Sequence, residues 1–229
     1  MRFCIDYRRL NVITIKDAFS HPRIDEIFDQ LSDAIYYTKF DFKSSYFQVP
    51  LVKEDCPETA FSTRDNHYQS TVLPQDITNG PATFQRVINH ILGPARWKYA
   101  LAYIDDVIIY SKTFEEQLIH LNDICTILKN ARFRLNPEKC KITQTQTDYL
   151  GQNLQNGEIR PSPNNINGLL NTRLPQTADE ACKFVKAVEY YRKFIAKFSQ
   201  IAESLRKFVS TTRTQQNKGQ KLNYYYINK

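Results

Sequence analysis

Glycine is scarce in this chain. Only six occur in 229 residues and none sits in a glycine-rich phosphate loop, which excludes a P-loop or dinucleotide fingerprint. The five cysteines (Cys4, Cys56, Cys125, Cys140 and Cys182) are odd in number, scattered and never spaced C-x-x-C. That argues against a disulfide scaffold or a zinc ribbon and for reduced thiols in an intracellular protein. His21, His67, His90 and His120 form no ligand cluster along the sequence. No apolar run reaches the roughly 18 residues that span a bilayer, and no charged–apolar–small leader opens the chain, so no membrane partner is expected. Against these absences stand 41% apolar and 13% aromatic residues, the composition of a folded protein with a substantial core, in one large domain or two small ones.

The net charge of +7 is unevenly distributed. From Arg173 onward there are 12 Lys+Arg against 4 Asp+Glu, a balance of +8, whereas the preceding residues hold 19 and 20, a balance of −1. A basic C-terminal quarter suits a surface that meets a polyanion, although a solvated helix face followed by a basic tail gives the same count.

Periodicity predicts interleaved strands and helices. MRFCIDYRRLN alternates as a strand; HPRIDEIFDQLSD carries Ile24, Ile27, Phe28 and Leu31 on one helical face. AIYYTKF reads as a strand to about Phe40, with a break after Asp41 and a short strand near Val49. FSTRDNHYQSTVL reads as a hairpin turning at Asp65-Asn66. Helices follow over Thr78–Leu92, with Asn79 as cap and Pro81 in the first turn, and over Phe114–Asn130, with Leu118, Leu121, Ile124 and Leu128 as its stripe. Arg132–Ile142 and Asp148–Leu154 offer strands, Asn156-Gly157 a turn, and Thr177–Phe198 a basic helix. Hairpins mixed with helices favour an α+β layer structure over a doubly wound parallel sheet.

One stretch breaks its own pattern. KYALAYIDDVIIYSK sets Asp105 and Asp106 side by side between apolar, β-branched arms. Burying one unpaired carboxylate is costly and a second adds like-charge repulsion. A hairpin with Asp105-Asp106 at its tip buries the arms and projects the acids into a cleft. Aspartate is a common turn residue, but two-residue hairpins favour Gly or Asn, and neither is present. Hard divalent cations explain the pair better: magnesium takes one or two carboxylates plus phosphate oxygens and water, and two such ions can activate an attacking hydroxyl and stabilise a leaving oxygen. Asp41, at the end of AIYYTKF, is the third acid, with a helix N-cap as its equally weighted alternative.

YIDD at Tyr103–Asp106 resembles the Y-x-D-D box of reverse transcriptases, and Asp41 resembles that family's first catalytic aspartate. RFCIDYRRLN, HPRIDEIFDQL, TAFSTRDNHY, TNGPATFQRVIN, IYSKTFEEQLIHL, LNPEKCKI, DYLGQNLQNGEIRPSP and YYRKFIAKFSQIAESL are similar, in order, to blocks of gypsy-class long-terminal-repeat retrotransposon polymerases. The resemblance covers about residues 1 to 208 and implies a right-hand polymerase: partial fingers and palm over 1–155, a thumb or connection segment over 156–208, and a disordered basic tail over 209–229.

It also implies an RNA-directed DNA polymerase that joins a primer 3′-hydroxyl to the α-phosphate of a deoxynucleoside triphosphate on an RNA or DNA template. Two Mg2+ ions, for which Mn2+ can substitute, would be held by Asp41, Asp105 and Asp106. Arg2 would contact the triphosphate, Tyr46 would act as a sugar gate with Phe47 beside it, and Gln75 would lie near the sugar. Tyr103 and Leu150-Gly151 would meet the primer, and Lys183, Lys186, Arg192 and Lys193 the phosphates. An intracellular location, cytoplasm or nucleus, goes with such an element.

Asp76 departs from the pattern, standing where these polymerases carry glycine. The chain reads as a polyprotein fragment without the usual leading fingers segment, so a catalytically silent remnant that at most binds nucleic acid is the alternative reading.

Overall fold

Alternating side chains in YYTKFD build the central strand β1 (Tyr36–Asp41), and the arms around the paired acids build β4 (Ala100–Tyr103) and β5 (Asp106–Ser111). The computed structural model describes residues 4–207; Arg2 and the tail 209–229 lie outside them. Contacts divide the chain between Ile159 and Arg160. The first body also contains α1 (Arg8–Ile13), α2 (Ile24–Leu31), the short pair β2 (Phe61–Ser62) and β3 (His67–Tyr68), α3 (Gly80–Leu92), α4 (Phe114–Asn130), β6 (Lys141–Gln144), β7 (Gln146–Tyr149) and β8 (Gln152–Gln155). Strand β9 (Glu158–Pro161) crosses the division.

The main sheet has the order β4-β5-β1-β6, and its strand pairs are antiparallel. Phe40, Val107 and Ile109 pack on one face against Phe84 and Ile88 of α3 and Ile124 and Leu128 of α4. Tyr37, Ile108 and Leu101 pack on the other against Ile27, Phe28 and Leu31 of α2 and against Tyr149 and Leu154. Each large apolar side chain so buried contributes roughly 1.5–3 kcal/mol, which is why both faces of this short sheet are covered. The α+β arrangement is the one the mixed periodicity implied.

Several elements differ from the sequence reading. Residues 4–11, the described part of the opening segment, are not a strand: the Asp6 carboxylate accepts the Arg8 backbone N–H at 3.0 Å and pairs with its guanidinium at 2.6 Å, at the start of helix α1. The Arg8 hydrogen bonds hold the Asp6 carboxyl down at about 2. Near Val49 the chain forms a 3-10 turn, Ser45–Gln48, and only an isolated bridge from Pro50 to Val72.

In α4 the buried positions are Gln117, Ile124 and Leu128, while Leu118 is exposed. Gln117 is satisfied inside by donating from Nε2 to Thr38 Oγ1 at 2.8 Å. Arg132–Cys140 is a capping loop rather than a strand: Arg132 takes φ 59° and Phe133 N–H bonds the Leu128 carbonyl at 2.9 Å. Only Lys141–Gln144 then joins the sheet.

What read as one strand, Asp148–Leu154, folds back on itself as β7 and β8, which pair with β9 into a second sheet. Leu150 and Gly151 turn between β7 and β8 at φ 43° and 75°; Asn156 and Gly157 follow β8 at φ 48° and 77°, the primed-turn signature.

The second body contains α5 (Pro163–Leu170), α6 (Ala178–Glu189) and α7 (Phe198–Ile201). Helix α6 stops at Glu189 instead of running to Phe198. Its buried stripe is Ala178, Ala181 and Val185, and a continuing helix would carry Tyr191 about 120° away from Val185. Breaking the helix instead buries Tyr191, whose hydroxyl accepts from Asn165 Nδ2 at 3.1 Å. Among the described residues no helix is long and apolar enough to cross a membrane.

Candidate active site

Strands β4 and β5 close at the pair Tyr103↔Asp106, so the turn residues are Ile104 and Asp105, one position earlier than the acid pair itself. Ile104 takes φ 55°, a left-handed conformation that costs a β-branched residue on the order of 1–3 kcal/mol. Buried Gln85 of α3 holds it there. Gln85 Oε1 accepts the Ile104 N–H at 2.6 Å, and its Nε2 donates to the Ala102 carbonyl at 3.0 Å. A glutamine on the apolar face of TFQRVIN was the signal for this support, and the sequence reading did not use it.

With the turn at Ile104-Asp105, Asp106 is the first residue of β5 and lies directly opposite Asp41, the last residue of β1. Like charges so placed repel across about 5 Å. Lys39, two residues earlier on the same face as Asp41, relieves part of this: its Nζ lies 2.8 Å from Asp106 Oδ1 and 5.9 Å from the centroid of the Tyr149 ring. Tyr149 in turn donates its hydroxyl to the Asp106 carbonyl at 3.0 Å. Neither Lys39 nor Tyr149 stood out in the sequence.

Asp41 caps no helix. The following 3-10 turn has Ser44 at its N-cap, and the Asp41 carbonyl accepts the Asn136 N–H at 2.8 Å, leaving the carboxylate for other work. Asp105 is held by Ser45 Oγ at the long distance of 3.5 Å. Burial, then the Asp106 and Asp41 charges, push its acid above the usual carboxylate range. Among the described residues no ion pair neutralises Asp41 or Asp105.

Tyr46 rests in the same corner. It packs on Phe84 with ring centroids 5.3 Å apart, and a methyl group on Gly80 would lie 3.3 Å from its Cε1. Burial and the Asp105 charge push its phenol up. Phe47, on the same 3-10 turn, is 45% exposed. Tyr103 is half-buried, tilted against His21 at 6.2 Å.

Gln75 and Asp76 lie on the loop before α3, where Asp76 takes φ 66°. Asn11 clasps this loop: its Nδ2 donates to the Asp76 carbonyl at 2.7 Å and its Oδ1 accepts the Thr78 N–H at 2.8 Å. Asn79 occupies the N-cap position of α3 without capping it; its side chain instead bonds Asp17 N–H and the Ile15 carbonyl. Asn11 and Asn79 are further contributors that sequence reading missed or misassigned. Lys183, Lys186, Arg192 and Lys193 are exposed on the second body, the first two on the outward face of α6.

Among the described residues no three His, Cys, Asp or Glu side chains converge as a ready-made metal cage. The donor set nonetheless fits a hard divalent cation: two carboxylates without an ion pair among the described residues, one pushed upward by desolvation and then by its acidic neighbours. Magnesium needs no more from protein when phosphates and water complete its shell.

Residues 1–154 match the family "Reverse transcriptase (RNA-dependent DNA polymerase)". The chain belongs to this family. It is 35% identical over 204 residues to the retrovirus-related Pol polyprotein from transposon 297 of Drosophila melanogaster, covering 89% of this chain and 19% of that one. It is 32% identical over 205 residues to the transposon Tf2-3 polyprotein of Schizosaccharomyces pombe, covering 90% and 15%. The chain therefore spans about a fifth or less of the length of these polyproteins. Among solved structures, a foamy viral protease-reverse transcriptase in complex with double-stranded DNA superposes with TM-score 0.80 at 21% identity, covering 99% of this chain and 46% of that one. This likeness establishes the fold of a reverse transcriptase palm: an antiparallel sheet backed by helices.

Proposed function

We propose that this chain is the polymerising core of a retrotransposon Pol polyprotein of the gypsy class, adding deoxynucleotides to a primer on an RNA or DNA template. The observation that carries the reading is the register: β1 and β5 place Asp41 opposite Asp106, and the adjoining turn adds Asp105. A bound divalent cation would relieve the repulsion among these carboxylates.

Asp41 and Asp105 would hold Mg2+, or Mn2+ in its place, with Asp106 as the lesser contributor because Lys39 already engages it. Bound there, the ions would lower the pKa of the primer hydroxyl and neutralise charge on the pyrophosphate. The protein's own share is positioning. Gln85 fixes the turn that carries Asp105, and Tyr149 ties Asp106 to the Leu150-Gly151 turn, which would support the primer end. Tyr46, wedged between Phe84 and Gly80, would present a wall to a ribose 2′-hydroxyl, with Phe47 and Gln75 shaping the same side of the pocket. Residues 156–208 would serve as thumb, their exposed cations meeting duplex phosphates. Work in the cytoplasm or nucleus fits such an element.

Primer extension on RNA and DNA templates with Mg2+ tests the reading. Extension by the wild type that is lost in Asp105→Asn supports it. No extension by either, with salt-sensitive template binding retained, would instead support the silent remnant.

A further inference from the structure

A second charged surface lies on the other layer of the first body. A groove of about 600 Å3 is lined by Lys43, Lys129, Arg132 and Arg134 over a floor that includes Leu128 and Phe133. No acidic residue is among its lining, and among the described residues none of the four cationic heads is in an ion pair. Helix α4 packs on the Phe40 and Val107 face, whereas Asp41 and Asp106 share the register face of Lys39 and Ile108. The groove's lining shares no residue with the acid cluster.

It is also a built surface. Gln48 ties its two walls together: Nε2 donates to the carbonyls of Lys43 and Arg134 at 2.8 and 2.9 Å, and Oε1 accepts the Arg134 N–H at 2.7 Å. Lys43 N–H bonds the Arg134 carbonyl at 3.0 Å. The capping loop of α4 sets Arg132 in the left-handed region, so three cations within six residues project around Phe133. Phe133 is half-buried, anchored edge-on against Phe42 at 5.4 Å.

Unpaired cations around an aromatic floor are what a single nucleic-acid strand recognises: phosphates meet the charges and bases meet the ring, without demand for sequence. We propose that this groove is a second nucleic-acid site that takes a single-stranded segment, independently of polymerisation and of the duplex cleft. Charge complementarity requires a polyanion, and the Phe133 ring in the floor favours one that carries bases. An acidic peptide would also satisfy the cations but would leave the exposed part of the Phe133 ring unused.

The test is binding of a fluorescent ten-nucleotide oligo-dT to the full chain across a salt series, with Lys129→Gln/Arg132→Gln/Arg134→Gln as comparison. Removing three phosphate contacts should lower the slope of log K against log salt by about 2, at roughly 0.7 per contact. Blunt duplex binding and primer extension should be unchanged. An unchanged slope, or an equal loss of duplex binding, overturns the proposal. So does a triple variant that loses binding to a poly-glutamate peptide while keeping oligonucleotide binding. Photocrosslinking of a 4-thiothymidine decamer to the unaltered chain guards against misfolding of the variant. Labelling within residues 125–137 supports the site, and labelling only elsewhere overturns it. The binding and crosslinking readouts do not depend on catalysis, so they stand or fall apart from the polymerase reading.

Discussion

At the scale of single residues, Asp105 sets chemistry against stability. Its acid is raised in the folded chain, first by partial desolvation of a side chain that still reaches solvent and then by Asp106 and Asp41, so the effect on stability is modest. The folded state therefore binds this proton more readily than the unfolded state, and the ionised form weakens the fold at neutral pH. Stability from this group should rise as pH falls through the raised value and be fully present below its ordinary value of 3.8. Asp105→Asn should accordingly raise the thermal midpoint while abolishing nucleotide incorporation. Mg2+ should raise the midpoint of the wild type more than that of the variant; equal shifts in a calorimetric titration would count against metal binding at Asp105.

Asp76 makes a related point. Its φ of 66° lies in the left-handed region that favours glycine, and on the proposed function its charge would repel a triphosphate bound nearby. Asp76→Gly should increase incorporation at limiting deoxynucleotide and keep or slightly raise stability, since aspartate pays about 1 kcal/mol or less in this conformation. Steady-state single-nucleotide insertion measures the effect.

At the scale of elements, the turn after β8 comes up against the end of α2 at one close approach. A methyl group on Gly157 would come 2.5 Å from the Ser32 carbonyl oxygen, and the residue already has φ 77°. Gly157→Ala should lower unfolding free energy by about 2 kcal/mol or more, because conformational strain and a backbone clash add. Urea melts should show it. Helix α4 depends on its capping box, Thr113 with Glu116, and Thr113→Ala should cost about 1 kcal/mol in the same experiment.

The elements also show what could be read from sequence. Helices α2, α3 and α4 followed from period-3.6 apolar spacing, and the Asn156-Gly157 turn from its residue types. The Asp41, Asp105 and Asp106 grouping followed from acids where a core strand should be, strengthened by the family resemblance. Other features depend on tertiary partners. Met1–Asn11 alternates like a strand but has Asp6 and Arg8 to nucleate a helix. Leu118 looks like core until Thr38 offers Gln117 a buried hydrogen bond. Lys39 as counter-charge to Asp106 needs the strand register, which no single stretch of sequence contains.

At the scale of the whole molecule, net charge predicts behaviour that no single contact does. The excess of +8 from Arg173 onward should make duplex binding strongly dependent on salt. Converting Lys183, Lys186, Arg192 and Lys193 to Gln should weaken binding to all duplex sequences alike. If all four meet phosphates, the salt slope should fall by roughly 3 to 4, at about 0.9 per contact. Fluorescence anisotropy with two unrelated duplexes separates this from sequence readout, in which only one would weaken.

The Asn11 clasp has a consequence for how firmly the chain is held. It joins residues 65 positions apart to order the loop bearing Gln75 and Asp76, and Asn79 reaches back 64 positions to Ile15. Both bonds are exposed to solvent and α1 buries none of its residues, so this region opens at low cost. The loop that would receive the nucleotide is therefore held less firmly than the sheet. In hydrogen exchange its amides should belong to a low-energy opening unit together with residues 11–17, well before the sheet carrying the acids lets go.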